Sequence, residues 1–408
     1  MALRRKQLKR GSALGEKQFK KLEAEVFLFG WGGCDEDTWA SLTKQQQKIL
    51  EDHRCDPRTR PTSLPILERP SGPVKAAPQV PGVVGVYVRL ARERQQRDLE
   101  NQEALGLWFD EKLADRAVYF FRRFLRHSKG AYAKKPFVLE PWQEHDIIRP
   151  LFGWRRIVEG LPPWEWPRRF RKGYLEVARK NGKSTLGAGI GNLLTFADGE
   201  QGAEVYSAAT KRDQAKIVHG EAVRMVKASP DLKANAYTIK NNISVPRSNS
   251  KYEPLGADSD TLDGLNVSGS IIDEVHAHKT RDVVDKIVTG TGSRWQPLVV
   301  MITTAGVYDK TSICWEQHQY GVDILEGRKK DETFFVYIAT LDEKDDWMDE
   351  KVWPKANPNL GISVSLEGLR ADIQEAKEKP AAQNNIRRYK LNQWTEQVTR
   401  WLLMDKWE

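Results

Sequence analysis

The residues best equipped for chemistry stand together in Tyr174-Leu-Glu-Val-Ala-Arg-Lys-Asn-Gly-Lys-Ser-Thr185. A short apolar run leads into a polar turn ending in Gly-Lys-Ser, and a helical segment follows. This is the order of a phosphate-binding turn. Gly182 lets the backbone approach the β-phosphate of a nucleotide, Lys183 reaches its β- and γ-phosphates, and the Ser184 hydroxyl ligates Mg²⁺. Amides from Lys183 to Thr185 at the helix start add a fixed partial positive charge, with Lys180 and Asn181 completing the turn around the phosphates. The strict pattern asks for glycine where this chain has Val177, and Gly-Lys-Ser also occurs in ordinary helix-capping turns. A second motif is therefore needed.

Ser268-Gly-Ser-Ile-Ile-Asp-Glu274 reads as a small apolar strand ending in two carboxylates. Such a pair is costly to bury unless something cationic sits nearby. In a nucleotide site Asp273 would hold Mg²⁺, directly or through water, and Glu274 would orient and deprotonate the attacking water. An acid pair at a strand end also serves as a plain helix cap. Further on, Leu298-Val-Val-Met-Ile-Thr-Thr-Ala-Gly306 is an apolar strand that stops at two hydroxyls. Thr303 and Thr304 stand to contact the γ-phosphate region or its water and to report hydrolysis, although a buried strand with a turn explains the segment alone. His276 and His278, two apart, would share one face of a strand but align poorly on a helix, a weak basis for a metal site.

The elements that must position these groups alternate. Strand patterns fall at Tyr174–Ala178, Glu204–Ala208, Gly269–Asp273, Leu298–Thr303 and Phe334–Ala339, with helical patterns near 184–197, 210–228, 279–290, 311–327 and 365–378. That alternation predicts an α/β fold around a mostly parallel sheet. A long amphipathic pattern from Leu99 to Arg126 predicts one helix ahead of the sheet. Residues 15–54 read as a helical hairpin, with a small DNA-binding helix-turn-helix as the other reading, and prolines between Pro57 and Pro81 mark a stiff linker. The expected divisions are a basic head and helical hairpin at 1–55, a Pro-rich linker at 56–96, a helical lid or adenine-side region at 97–170, the ATPase core at 171–345 and a helical extension at 346–408.

Composition narrows the setting. No run of eighteen apolar residues and no secretory signal are visible, so the chain reads as soluble, with no membrane partner. Cys34, Cys55 and Cys314 are too widely spaced for a zinc site and odd in number, which predicts reduced thiols. Net charge is +9, of which +7 lies within residues 1–21, leaving the rest nearly balanced. A basic head favours a polyanion such as nucleic acid; a solvated tail is the other reading.

The three motifs, in this order, resemble the terminase large subunits of tailed double-stranded DNA phages. The resemblance is to the branch reading Ala-Arg-Lys-Asn-Gly-Lys-Ser, Ile-Ile-Asp-Glu and Ile-Thr-Thr-Ala-Gly. It spans roughly residues 100–408, and the segments at 209–215 and 262–266 share it. It implies a P-loop NTPase fold of the ASCE/RecA-like kind and a Mg²⁺-dependent ATPase that pumps double-stranded DNA into a procapsid. Its partners would be a portal protein and a terminase small subunit, in a homo-oligomeric ring in the host cytoplasm. By resemblance Lys183 and Ser184 contact phosphate and Mg²⁺, Asp273 is the magnesium carboxylate and Glu274 the base. Arg179 adds charge to the γ-phosphate, and Gln143 in Leu139-Glu-Pro-Trp-Gln143 reads the adenine edge.

Two departures stand out. Where many terminases carry an arginine finger this chain has Asp263, so Arg294 in Thr291-Gly-Ser-Arg-Trp295 becomes the substitute candidate, with a surface arginine packing on Trp295 as the plainer reading. The usual C-terminal nuclease is expected to be missing, with the acidic run Asp342 to Glu350 read as a solvated loop, so no endonuclease activity is expected. Another P-loop translocase such as a helicase, or an inactive prophage remnant that binds nucleotide, are the alternative readings.

Overall fold

The computed structural model describes residues 14–29, 36–52, 82–256 and 264–396. The head before residue 14, most of the proline-rich stretch, Cys34, Cys55 and Asp263 lie outside them, so the expectations that rest on these residues do too. Near the N-terminus three helices, α1 (Glu16–Phe29), α2 (Glu36–Ala40) and α3 (Lys44–Asp52), take the place of the expected hairpin. They bury Phe19, Leu22, Val26, Trp39, Leu42 and Leu50 against one another.

The single helix expected over 99–126 is instead two helices and a strand. Helix α4 (Val86–Glu100) ends before Gly106, whose φ of +64° favours glycine, and β1 (Leu107–Phe109) follows. Asp110 then starts α5 (Glu111–Phe124) by accepting the Leu113 N–H at 3.2 Å. Helix α4 also occupies residues assigned to the linker. It is rich in arginine and glutamine, and its start is fixed from a distance, where Asp342 accepts the Val86 N–H at 2.6 Å. Phe27 of α1 packs on Tyr119, Phe120 and Phe124 of α5, joining the N-terminal helices to the main core.

A short stretch of α6 (Pro141–Gln143), a π-turn and α7 (Arg149–Gly153) leads into β2 (Trp154–Arg156), which pairs antiparallel with β1. The main sheet contains β3 (Lys172–Val177), β4 (Glu204–Ala209), β5 (Tyr237–Ile239), β6 (Asn242–Val245), β7 (Ser250–Gly256), β8 (Gly269–Asp273), β9 (Leu298–Thr303) and β10 (Phe334–Ala339). Its order is β10-β3-β9-β8-β4-β7-β6-β5. The six strands from β10 to β7 are parallel, and β5 and β6 extend one edge antiparallel.

Both faces of the central parallel strands are covered, which is why β9 and β10 read as nearly unbroken apolar runs, whereas β7, nearer the edge, alternates with Lys251 and Glu253 and was not among the expected strands. In β9 the side chains of Leu298, Val300 and Ile302 enter one core and those of Val299 and Met301 the other. Helices α8 (Lys183–Phe196) and α9 (Arg212–Ala228) lie over the first face, with the short α10 (Pro230–Asn235) after them; α11 (Asp282–Thr289) and α12 (Ile313–Leu325) lie over the second. Beyond β10, α13 (Leu366–Glu378) and α14 (Pro380–Leu391) pack around Trp353, Leu369, Ile373 and Leu391. The architecture is that of an α/β P-loop NTPase, with the carboxyl ends of β3, β8 and β9 side by side.

Candidate active site

The turn after β3 bends through Lys180 at φ +71° and Gly182 at φ +84°. Both values lie in the left-handed region, which only glycine enters without cost. Gly182 is the N-cap of α8 and its carbonyl accepts the Leu186 N–H at 2.9 Å. Val177 belongs to β3, pairs with Ala339 and is buried. A branched residue suits that extended position, which is the physical reason the chain departs there from the strict glycine pattern. Lys183 folds its ammonium back onto the Val177 and Ala178 carbonyls, the second at 3.0 Å. Desolvation lowers its pKa to about 8, against the opposing charges of Glu274 and Asp273.

Across the turn, Ser184 donates to Asp273 Oδ2 at 3.1 Å. Asp273 ends β8 almost fully buried, and burial first, then the Glu274 charge, push its carboxyl up to about 6. Glu274 follows in a left-handed conformation at φ +52°, half-buried. The pair is brought to the phosphate turn by β8, which runs parallel to β3 with β9 between them. Thr185 lies in the first turn of α8.

Thr303 and Thr304 are fully buried at the end of β9. Thr303 Oγ1 accepts the His276 N–H at 3.0 Å and lies 3.1 Å from His276 Nδ1; Thr304 Oγ1 lies 3.4 Å from that nitrogen. The coupling strand thus meets the acidic strand through His276, a residue the sequence reading treated only as a weak metal candidate. His276 Nδ1 is also 3.1 Å from Glu274 Oε2. Among the described residues no group of three or more His, Cys, Asp and Glu side chains is arranged to hold a metal ion.

The turn is held from outside by residues far along the chain. Asn181 donates to Asn357 Oδ1 at 3.0 Å and accepts the Asn359 N–H at 3.0 Å, and Ser363 donates to the Lys180 carbonyl at 2.6 Å. Arg179 lies with its guanidinium 3.6 Å from the centre of the Tyr389 ring, while its N–H donates to the Tyr389 carbonyl at 2.8 Å. Gln143 is buried beside Gly182 and closes a capping box by accepting the Glu140 N–H at 3.0 Å. Beneath the turn, Glu176 of β3 accepts from Tyr174 at 2.7 Å, Asn392 at 3.2 Å and Trp394 at 3.3 Å, with His318 Nδ1 at 2.8 Å. Asn392 also accepts the Ala305 N–H at 2.7 Å, so the end of α14 is tied to β3 and β9 together.

Arg294 donates to the carbonyls of Gly202 at 2.8 Å and Asn266 at 3.1 Å and lies 3.6 Å from Glu200. Those residues precede β4 and β8, at the opposite end of the parallel strands from the phosphate turn. Arg294 fastens loops there, away from the phosphate turn of its own chain, so a role as arginine finger would be played in a neighbouring subunit's site. The acidic run is a largely exposed loop braced by ion pairs: Asp342 and Asp345 both bind Lys355, at 2.7 and 2.8 Å, and Glu350 pairs with Arg370 at 2.7 Å.

Residues 141–322 match the family model for the terminase large subunit ATPase domain. Residues 328–408 match that for the terminase large subunit endonuclease domain, which overturns the expectation that this segment is missing. Within it, β10 is nevertheless a strand of the main sheet, paired with β3. The terminase large subunit of Enterobacteria phage HK97 is 29% identical over 303 residues, covering 72% of this chain and 56% of that protein. Protein YmfN of Escherichia coli K12 is 35% identical over 146 residues, covering 36% and 32%. The crystal structure of the HK97 large terminase superposes with a TM-score of 0.58 at 26% identity over 69% of this chain and 55% of that one. The chain thus spans about half the length of the HK97 protein. Two adjoining family matches and a shared fold lead to one conclusion: the chain belongs to the terminase large subunits.

Proposed function

We propose that this chain hydrolyses ATP with Mg²⁺ and uses the energy to move double-stranded viral DNA into a procapsid. It would act as a subunit of a homo-oligomeric ring on a portal protein, with a terminase small subunit supplying the DNA, in the host cytoplasm. The observation that carries the reading is the convergence of Lys183, Ser184, Asp273 and Glu274 at the carboxyl ends of β3 and β8, with Ser184 Oγ 3.1 Å from Asp273 Oδ2. No described helix is long and apolar enough to cross a membrane.

The donor set fits a hard cation that prefers oxygen ligands. It comprises one hydroxyl and one buried carboxylate that holds its proton up to about 6 for want of a strong cationic partner. Ser184 and Asp273 would hold Mg²⁺, which when bound neutralises charge on the β- and γ-phosphates. Lys183 exchanges its two carbonyl partners for phosphate oxygens, regaining full charge as the anion arrives. Amides of Lys183 to Thr185, with Lys180 and Asn181 in the turn, cradle the phosphates. Glu274 takes the proton from the attacking water as the γ-phosphoryl group transfers in line. Arg179 lends charge on leaving Tyr389, Gln143 faces the adenine, and Thr303 and Thr304 carry the result along β9.

The direct test is ATP turnover of the full chain with and without duplex DNA and empty procapsids. DNA-stimulated turnover, further raised by procapsids and abolished by Lys183→Ala, is expected. Turnover indifferent to DNA would remove the translocase reading, and turnover unchanged in Lys183→Ala would remove the site.

A further inference from the structure

The Glu274 carboxylate has one side-chain neighbour at hydrogen-bonding or ion-pair distance among the described residues, His276, whose Nδ1 is 3.1 Å from Oε2. The backbone that carries this carboxylate is in the left-handed region, a conformation that persists only where surroundings impose it. His276 follows in the one-turn 3-10 helix Val275–Ala277 and its side chain is nearly enclosed. Its main chain is fixed by the bond from its N–H to Thr303 Oγ1.

The hydrogen-bond pattern selects the tautomer. Thr303 Oγ1 gives its own proton to the Thr304 carbonyl at 2.9 Å, so towards His276 it can only accept. With its proton on Nδ1 the ring donates to Thr303 Oγ1 at 3.1 Å, while Glu274 Oε2, a buried oxygen with no hydrogen-bond partner, lies 3.1 Å from the same nitrogen. Burial, partly opposed by the charge of Glu274, lowers the pKa of His276 from its usual range.

We infer that His276 is a positioning residue: its Nδ1 edge, packed against Glu274 Oε2 and bonded to Thr303 Oγ1, sets where the Glu274 carboxylate lies relative to the end of β9. This inference rests on the assignment of Glu274 as the base. Movement of β9 would therefore reach the base through one side chain, with Gly306 packed against His276 Cβ just beyond.

The test compares steady-state ATP turnover of the full chain carrying His276→Ala or His276→Asn, since the asparagine amide can place an N–H close to Nδ1. His276→Ala should lower kcat roughly 10- to 100-fold, the scale of a misplaced reacting group, with KM for Mg-ATP within about twofold. His276→Asn should recover most of that loss. Adding His276→Ala to Glu274→Gln should slow turnover no further, because the two residues act as a unit. A kcat unchanged in His276→Ala, or equal losses in both variants with lowered melting temperature, would overturn the inference. Wild-type turnover in Glu274→Gln would instead remove the base assignment on which it rests.

Discussion

Asp273 and Lys183 are the groups whose burial can be tested by titration. Asp273 has a folded pKa of about 6 against an ordinary value of 3.8. A raised folded value means that the stabilising contribution is complete below about pH 4 and is lost as pH rises through about 6. Above that, the ionised carboxylate strains the folded protein by up to about 3 kcal/mol. Asp273→Asn cannot ionise and should therefore unfold at higher urea than the wild type at pH 7.5 in metal-free, nucleotide-free buffer. The difference should close by about pH 4; parallel curves for the two proteins would contradict this. The stabilised variant should also be inactive, since it loses the carboxylate proposed to hold Mg²⁺. Glu274→Gln separates chemistry from binding in the same site. Mg-ATP affinity should stay within a few-fold while turnover falls by roughly 10² or more, as expected when a general base is removed. Loss of affinity instead would make Glu274 a structural or metal-binding group.

Helix α8 must lie close to the sheet to bring Lys183 and Ser184 to the end of β8, and its glycines permit the approach. A Cβ on Gly187 would come within 2.9 Å of Ile271, one on Gly189 within 2.3 Å of the Phe121 ring and one on Gly191 within 2.6 Å of Tyr252. Alanine in a helix gains about 1 kcal/mol over glycine in propensity, but overpacking costs typically 1–3 kcal/mol. With an aromatic ring of α5 in the way, Gly189→Ala should lower stability in a urea titration; a rise would show that Phe121 moves freely. The same elements explain what was legible in the sequence. Strands β8, β9 and β10 appear at their expected bounds because two covered faces leave an unbroken apolar run, and Gly182-Lys183-Ser184 is a local pattern. The hairpin of β5 and β6 was not visible, because its strands are three and four residues long and mostly polar. Asn357, Asn359 and Asn392 left no local signal either. Their partners Asn181 and Glu176 lie more than 170 residues away, and a buried amide looks like any loop asparagine until the chain is folded. Arg294 illustrates the converse, as a spacing argument cannot tell which end of a parallel sheet a loop occupies.

At the scale of the whole molecule the proposed function requires a polyanionic track, and charge is the property that would link the chain to it. The chain carries +9, with +7 inside residues 1–21, so residues 22–408 are nearly neutral. Duplex DNA binds such a chain largely by exchanging condensed cations for lysine and arginine, each phosphate contact contributing about 0.9 to the slope of log affinity against log salt. Five basic residues, Arg4, Arg5, Lys6, Lys9 and Arg10, precede the first residue the structure describes. If the head grips DNA, replacing all five by glutamine should reduce the slope by about 3 to 5 for duplexes of unrelated sequence. ATP turnover without DNA should be unchanged, because none of the five is part of the phosphate turn or the acidic strand end. Fluorescence anisotropy with two labelled duplexes between 50 and 200 mM salt reads the slope directly. A change below about 1 would place the DNA contacts on the folded part. The exposed Lys279 and Lys310, in the loops after β8 and β9, would then be the cations nearest in sequence to the strand ends that carry Glu274 and Thr304. A track there would couple DNA to the base without the head, and the salt slope would then respond to Lys279→Gln and Lys310→Gln instead.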